Sequence, residues 1–108
     1  MTILQRIEQE TKVRDEQLRL ETVKALRNAL AQILPGQVVY VFGSLIQPYR
    51  FRQGSDVDVA FADLPPGLSI YRVQAELEEA LKRSVDVLLL PETRFRQTIE
   101  NEGEQWTS

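Results

Sequence analysis

The side chains with the clearest chemical potential are three aspartates, Asp56, Asp58 and Asp86. Asp56 and Asp58 stand two residues apart in Ser55-Asp56-Val57-Asp58-Val59. Side chains of an extended strand alternate between its faces, so both carboxylates project to one side and can share a divalent cation. Asp86 interrupts the otherwise apolar run Val85–Leu90. A lone carboxylate in such a strand is costly to bury unless it meets a cation or hydrogen-bond donors. If the two strands lie side by side, Asp86 completes a three-carboxylate cluster. That cluster repels itself until one or two Mg²⁺ ions neutralise it.

A second piece precedes the aspartates, Val41-Phe42-Gly43-Ser44. Gly43 lets the backbone approach a phosphate where a Cβ would obstruct it. Ser44 offers a hydroxyl and a backbone N–H to the same oxygens. Arg50 and Arg52, in the intervening loop, can steady a leaving pyrophosphate, and Ser55 completes the candidate nucleotide-binding set. Together the pieces suit magnesium-dependent nucleotidyl transfer from a triphosphate to a hydroxyl. Asp56 and Asp58 would hold the metal-bound triphosphate, while Asp86 orients the hydroxyl or accepts its proton.

Each piece alone has a plainer reading. Gly-Ser after a strand is an ordinary turn, and Asp-x-Asp is often solvated surface. A core aspartate can be an internally paired charge, and loop arginines are commonly just solvated. The ordered series of strand, Gly-Ser, loop, Asp-x-Asp strand, helix and Asp-bearing strand is what carries the functional reading.

Composition narrows the alternatives. There is no histidine, which excludes Ser-His-Asp and Cys-His catalysis and imidazole metal sites. There is no cysteine, hence neither a disulfide framework nor a thiolate site. A metal must be held by oxygen, which favours magnesium or manganese over zinc. The net charge of −3 and the lack of a basic run disfavour general nucleic-acid binding. No run approaches the roughly 18 apolar residues of a membrane span, and the N-terminus resembles neither a signal nor a transit peptide. A cytoplasmic protein is the default expectation.

The elements that must position these groups fit one domain over residues 1–108. Residues 2–34 predict a helix, broken or bent at most once, that Pro35-Gly36 stops. Its first 15 or so residues read as a helical extension, either solvated or a contact surface. Gln37–Phe42 predicts a buried strand, 45–55 a loop or short helical turn, and Asp56–Ala62 a second strand. Leu64–Gly67 is a turn, and Ser69 caps a helix turning Ile70, Val73, Leu77 and Ala80/Leu81 inward. Val85–Leu90 is a third strand. A last helix after Pro91 is expected to bury Phe95 and Ile99 and to end near Gly103, leaving Trp106 in a frayed tail. The order α-β-(loop/short α)-β-α-β-α implies an α/β (α+β) fold, a small mixed sheet packed with helices.

At Gly43, Ser44, Asp56, Asp58 and Asp86 the chain resembles the DNA polymerase β-like nucleotidyltransferase superfamily, specifically its minimal stand-alone members. The resemblance runs from about Gln37 through the last helix, and implies the polymerase β-like palm fold. Two departures lie in the loop. Positions 45–55 are one residue longer than the common spacing, and Leu45 and Pro48 stand where a basic residue and a glycine are usual. The resemblance also implies an antitoxin working beside a HEPN-domain toxin, a helical RNA-cutting protein, which it silences by moving AMP from Mg-ATP onto a toxin tyrosine.

Three functional readings remain open on these residues. One is catalysis on the toxin. A second is an antitoxin that neutralises by binding and occlusion, with idle catalytic remnants. The third is a subunit that modifies a small molecule after recruiting a helical substrate-binding chain; the lack of such a domain here ranks it last. Leu45, Ile46, Tyr49 and Phe51 crowd the loop, either as a docking surface or packed beneath it.

Overall fold

The computed structural model describes residues 1–108. Its elements are α1 (Ile3–Ile33), β1 (Val38–Phe42), a 3₁₀ turn (Gly43–Ile46), β2 (Val57–Phe61), α2 (Ile70–Leu81), β3 (Val85–Leu89), a second 3₁₀ turn (Leu90–Glu92), α3 (Arg96–Glu102) and β4 (Glu104–Thr107). The four strands form one mixed sheet in the order β3-β2-β1-β4. β1 runs antiparallel to β2 and β4, whereas β2 and β3 are parallel and joined through α2. The expected mixed sheet with packed helices is the observed architecture.

Strand alternation divides the sheet into two unequal faces. Val39, Val41, Val57, Val59, Phe61, Val85 and Val87 point to one side and meet Leu26, Leu30 and Leu34 at the end of α1, with Val73 and Leu77 of α2. This is the main core, and its β-branched residues explain why β1, β2 and β3 are readable from the sequence. The other face carries Tyr40, Phe42, Ala60 and Leu88, covered in part by Ile99 of α3. Asp58 and Asp86, at even-numbered positions, belong to this second face. The alternation that buries the valines therefore holds the carboxylates away from the core.

α1 is a single unbroken helix, without the one break its sequence left room for. Its start is sealed by a capping box. The Gln5 N–H donates to Thr2 Oγ1 at 3.1 Å, and the Thr2 N–H donates to Gln5 Oε1 at 2.9 Å. Residues 1–14 are exposed throughout, and Ile3, Leu4, Ile7 and Val13 have no partner in the chain. Burial begins in earnest at Thr22 and Leu26. α2 starts at Ser69 as expected, its hydroxyl accepting from the Arg72 N–H at 3.2 Å.

The C-terminal segment corrects the sequence reading twice. Trp106 does not lie in a frayed tail. It sits in β4 opposite Val39, buried to 6% exposure, with the Arg27 guanidinium 3.9 Å from its ring centroid. Ser108 then pairs with Gln37 through N–H to carbonyl at 2.9 Å, tying the strand to the turn after α1. Phe95, expected inward, is 52% exposed. Because α3 begins only at Arg96, Phe95 precedes the helix and its face does not turn to the sheet. Ile99 is buried and Gly103 ends α3, both as expected.

Candidate functional site

The parallel register of β2 and β3 sets Asp58 directly beside Asp86. Asp58 is also the partner of Phe42 on β1, so it lies one residue from the Gly-Ser turn across the sheet. Asp56 comes just before β2 begins, on the same parity as Asp58. The three carboxylates thus share one end of one face. Asp56 and Asp86 are exposed and Asp58 is half-buried between them.

Burial, followed by the charges of Asp86 and Asp56 and by a hydrogen bond with Asp86, pushes the Asp58 carboxyl up to about 6. The shift expresses burial together with the mutual repulsion of clustered carboxylates. The oxygens are not drawn into a ready-made cage of three ligands. Their all-oxygen chemistry and mutual repulsion nonetheless suit a hard divalent cation, whose charge would relieve the strain on Asp58. Asp56, Asp58 and Asp86 are the residues that would hold it.

Gly43 shows why the turn and the aspartates belong together. Its φ of +77° lies in the left-handed region, and a Cβ placed there would collide with Asp58 Oδ2. Glycine is thus required twice, by the backbone and by the closeness of the carboxylate. The 3₁₀ turn is closed by Gln47, whose N–H donates to the Ser44 carbonyl at 3.1 Å and whose side chain donates to the Gly43 carbonyl at 3.1 Å. Beside Gly43 opens a hollow of about 400 Å³, lined by Phe42, Ile46, Gln47, Thr98 and Ile99, on the carboxylate face. A larger groove of about 750 Å³ runs along the exposed half of α1 and shares no residue with the cluster.

The loop is anchored from two sides. Leu45 and Phe51 are fully buried and Ile46 partly so, whereas Tyr49 is 62% exposed. The crowded hydrophobics therefore pack mostly beneath the loop, with Tyr49 the exception. Glu16 of α1 accepts from Arg19 at 2.7 and 2.8 Å and from the Tyr49 N–H at 3.0 Å, and Arg19 donates to the Leu45 carbonyl at 3.1 Å. Tyr49 has a φ of 64°, a left-handed conformation unusual for a bulky residue, so this bond holds a strained turn. Hydrogen bonds from Arg19 first and Tyr49 next hold the Glu16 carboxyl down to about 2. The folded value lies below the ordinary 4.5, so the stabilisation is full above about pH 4.5 and vanishes as pH falls through about 2. Glu16→Ala is expected to lose about 1 kcal/mol at pH 7. In acid titrations followed by circular dichroism, wild type and variant should converge near pH 2.

The remaining candidates are placed less centrally. Arg50 and Arg52 are exposed, and their side chains have no polar partner within the chain. The Ser55 hydroxyl accepts from the Arg52 N–H at 2.9 Å, so it shapes the turn that leads into Asp56. Sequence reasoning missed Arg83, which reaches under that turn, and Glu16 with Arg19. The Glu16–Arg19 pair has ordinary helical i,i+3 spacing, but no local motif marks the reach of these residues to backbone atoms far along the chain.

No known family profile matches the sequence, and no curated protein matches it. Solved structures do. A toxin–antitoxin structure with AMP-PNP is 27% identical, with a TM-score of 0.58 over 79% of this chain and 73% of the other. The toxin–antitoxin MntA-HepT aligns at 24% identity and TM-score 0.52, over 85% of this chain and 73% of the other. A mutant form of that pair is 27% identical at TM-score 0.56, over 79% and 72%. The chain has the nucleotidyltransferase fold of such structures, as the family resemblance at Gly43, Ser44, Asp56, Asp58 and Asp86 implied.

Proposed function

We propose that this chain, whose fold and solved neighbours are those of minimal nucleotidyltransferase antitoxins, is the antitoxin of a two-protein pair and adenylylates its toxin. The acceptor is a hydroxyl, a tyrosine by the family resemblance, on a HEPN-type ribonuclease, and the donor is Mg-ATP. The observation that carries this reading is the register that sets Asp58 beside Asp86 on the face where Gly43 abuts Asp58. A neighbour with AMP-PNP supports a nucleotide at this fold. No helix is long and apolar enough to cross a membrane, which is compatible with a partner met in the cytoplasm.

In this reading the Gly43-Ser44 turn cradles the phosphates, and the hollow beside Gly43 has room for the nucleoside. Asp56, Asp58 and Asp86 would hold up to two Mg²⁺ ions, which offset the charge of the triphosphate and acidify the attacking hydroxyl. Asp86, the exposed neighbour of Asp58 on β3, orients that hydroxyl and accepts its proton. The hydroxyl oxygen bonds to the α-phosphorus as the bond to the bridging oxygen breaks, and pyrophosphate leaves. Arg50 and Arg52, free of internal partners, can turn toward it. The toxin supplies the acceptor, since 108 residues that hold a nucleotide site leave little chain to shape a second substrate pocket.

The occlusion reading rests on the loop, where Leu45, at a position that is usually basic, is fully buried and offers no cation to phosphate. The two readings separate in cells that express the toxin. Asp56→Asn and Asp58→Asn should fail to rescue growth while still binding the toxin. Full rescue by both variants would establish occlusion instead.

A further inference from the structure

We infer that Arg83 is a positioning residue that holds Asp56 in line with Asp58 and Asp86; its catalytic consequence rests on the function proposed above. At the end of α2, Lys82 caps the helix in the left-handed conformation, with a φ of 54°, and this turn sends Arg83 back toward the loop before β2. There Arg83 Nη1 donates to the carbonyls of Arg52, Gln53 and Ser55 at 3.3, 2.9 and 2.6 Å. Its guanidinium lies 4.6 Å from the ring centroid of Phe51, which is fully buried.

One side chain therefore grips the segment from Arg52 to Ser55 by its backbone and Phe51 by its ring, and the next residue is Asp56. The segment has little else to fix it. Gly54 is exposed, and the internal bonds are Ser55 N–H to the Arg52 carbonyl at 3.0 Å and Arg52 N–H to Ser55 Oγ at 2.9 Å. Beyond Asp56 the chain is set again, because the Val57 N–H donates to the Ser84 carbonyl at 3.0 Å. Asp56 is the one exposed link between the Arg83 clamp and the strand. Arg83 and Asp56 also line a common polar hollow of about 360 Å³.

Arg83 forms no ion pair within the chain, so its charge is not neutralised by a carboxylate. All three carbonyls are met by Nη1 alone, and the Phe51 ring meets the flat face of the guanidinium. Lysine keeps a charged donor but has no flat face to lie against Phe51. Loss of the clamp frees the turn, and Asp56 no longer contributes reliably to the cluster.

The test uses the whole chain with Mn²⁺ alone as the probe. Wild type, Arg83→Met and Arg83→Lys are titrated by calorimetry at pH 7.5, and amide hydrogen exchange is followed over 53–56. Arg83→Met is expected to weaken Mn²⁺ about tenfold, the range seen when a supporting partner of a ligand is lost. Exchange at 53–56 should rise while β1 and β3 stay protected, and Arg83→Lys should recover part of the affinity. Where wild type binds Mn²⁺, a folded Arg83→Met protein of unchanged affinity overturns the inference, and unchanged exchange at 53–56 overturns it in every case. If wild type binds no Mn²⁺ yet exchange at 53–56 rises in Arg83→Met, the clamp on Asp56 stands and nucleotidyl transfer falls.

Discussion

Asp58→Asn is expected to abolish nucleotidyl transfer, by about a thousandfold or more, and at the same time to stabilise the metal-free protein. The first effect follows from position. Asp58 is the central member of the cluster, between Asp86 across the strand pair and the Gly-Ser turn on β1. Asparagine keeps the shape but removes the charge that a divalent cation requires. The second effect follows from the cost of that charge. Burial, then Asp86 and Asp56, raise the Asp58 carboxyl from an ordinary 3.8 to about 6, so the folded state holds a proton more tightly than the unfolded one.

The stability of the metal-free wild type therefore falls as pH rises from about 4 through about 6 and stays low above. Discounted for partial exposure, the penalty at pH 7.5 is about 1 kcal/mol. Removing it should raise the melting temperature by roughly 4–8 °C for a chain of this size. Thermal unfolding with chelator at pH 4 and pH 7.5 measures this. The gain should appear at the higher pH and be small at the lower. An Asp58→Asn protein that is less stable at pH 7.5 and still active would refute the placement of Asp58.

Gly43→Ala is the second large effect. Alanine must adopt a φ of +77°, which costs about 1–2 kcal/mol, and its Cβ would strike Asp58 Oδ2. Asp58 must then move, and displacement of a reacting group by about 1 Å lowers rate on the order of a hundredfold. Gly36 is the control, since it has a φ of +75° and open space where an alanine methyl would sit, with no atom within 4 Å. Gly36→Ala should lose similar stability yet retain transfer. Equal activity in the two variants would show that Gly43 serves the turn only.

These expectations were partly visible in the sequence, for physical reasons that differ by element. The strands at 38–42, 57–61 and 85–89 announce themselves because Val and Phe recur with a two-residue period on a buried face. The same period exposes Asp58 and Asp86 as interruptions on the opposite parity. Their adjacency was only conditional, since sequence does not state which strands pair or in what register.

β4 carries no such signal. Glu104-Gln105-Trp106-Thr107 has one apolar side chain, and its pairing with β1 depends on residues at the far end of the chain, Val38–Val41. Phe95 misled because hydrophobic type suggested a buried helical face, whereas the helix begins one residue later and the ring stays outside. Arg83, Glu16 and Arg19 act on backbone carbonyls and amides of the loop, and any residue type can supply those. Such contacts have no motif. They emerge only once the middle of α1 and the end of α2 are brought against residues 45–55.

The exposed first half of α1 is also explained locally, by its capping box and by continuity with a packed second half. An isolated helix of that length would be marginal in water. Here nucleation is supplied by the part of α1 that meets the core.

Whether the carboxylate cluster moves AMP onto another protein is read most directly from the intact mass of the cognate toxin after incubation with this chain, ATP and Mg²⁺. The toxin is predicted to gain the mass of one or more adenylyl groups. Chelator should prevent the gain, and Asp58→Asn should give none. A stable complex in which the toxin is neutralised and its mass never changes would contradict transfer.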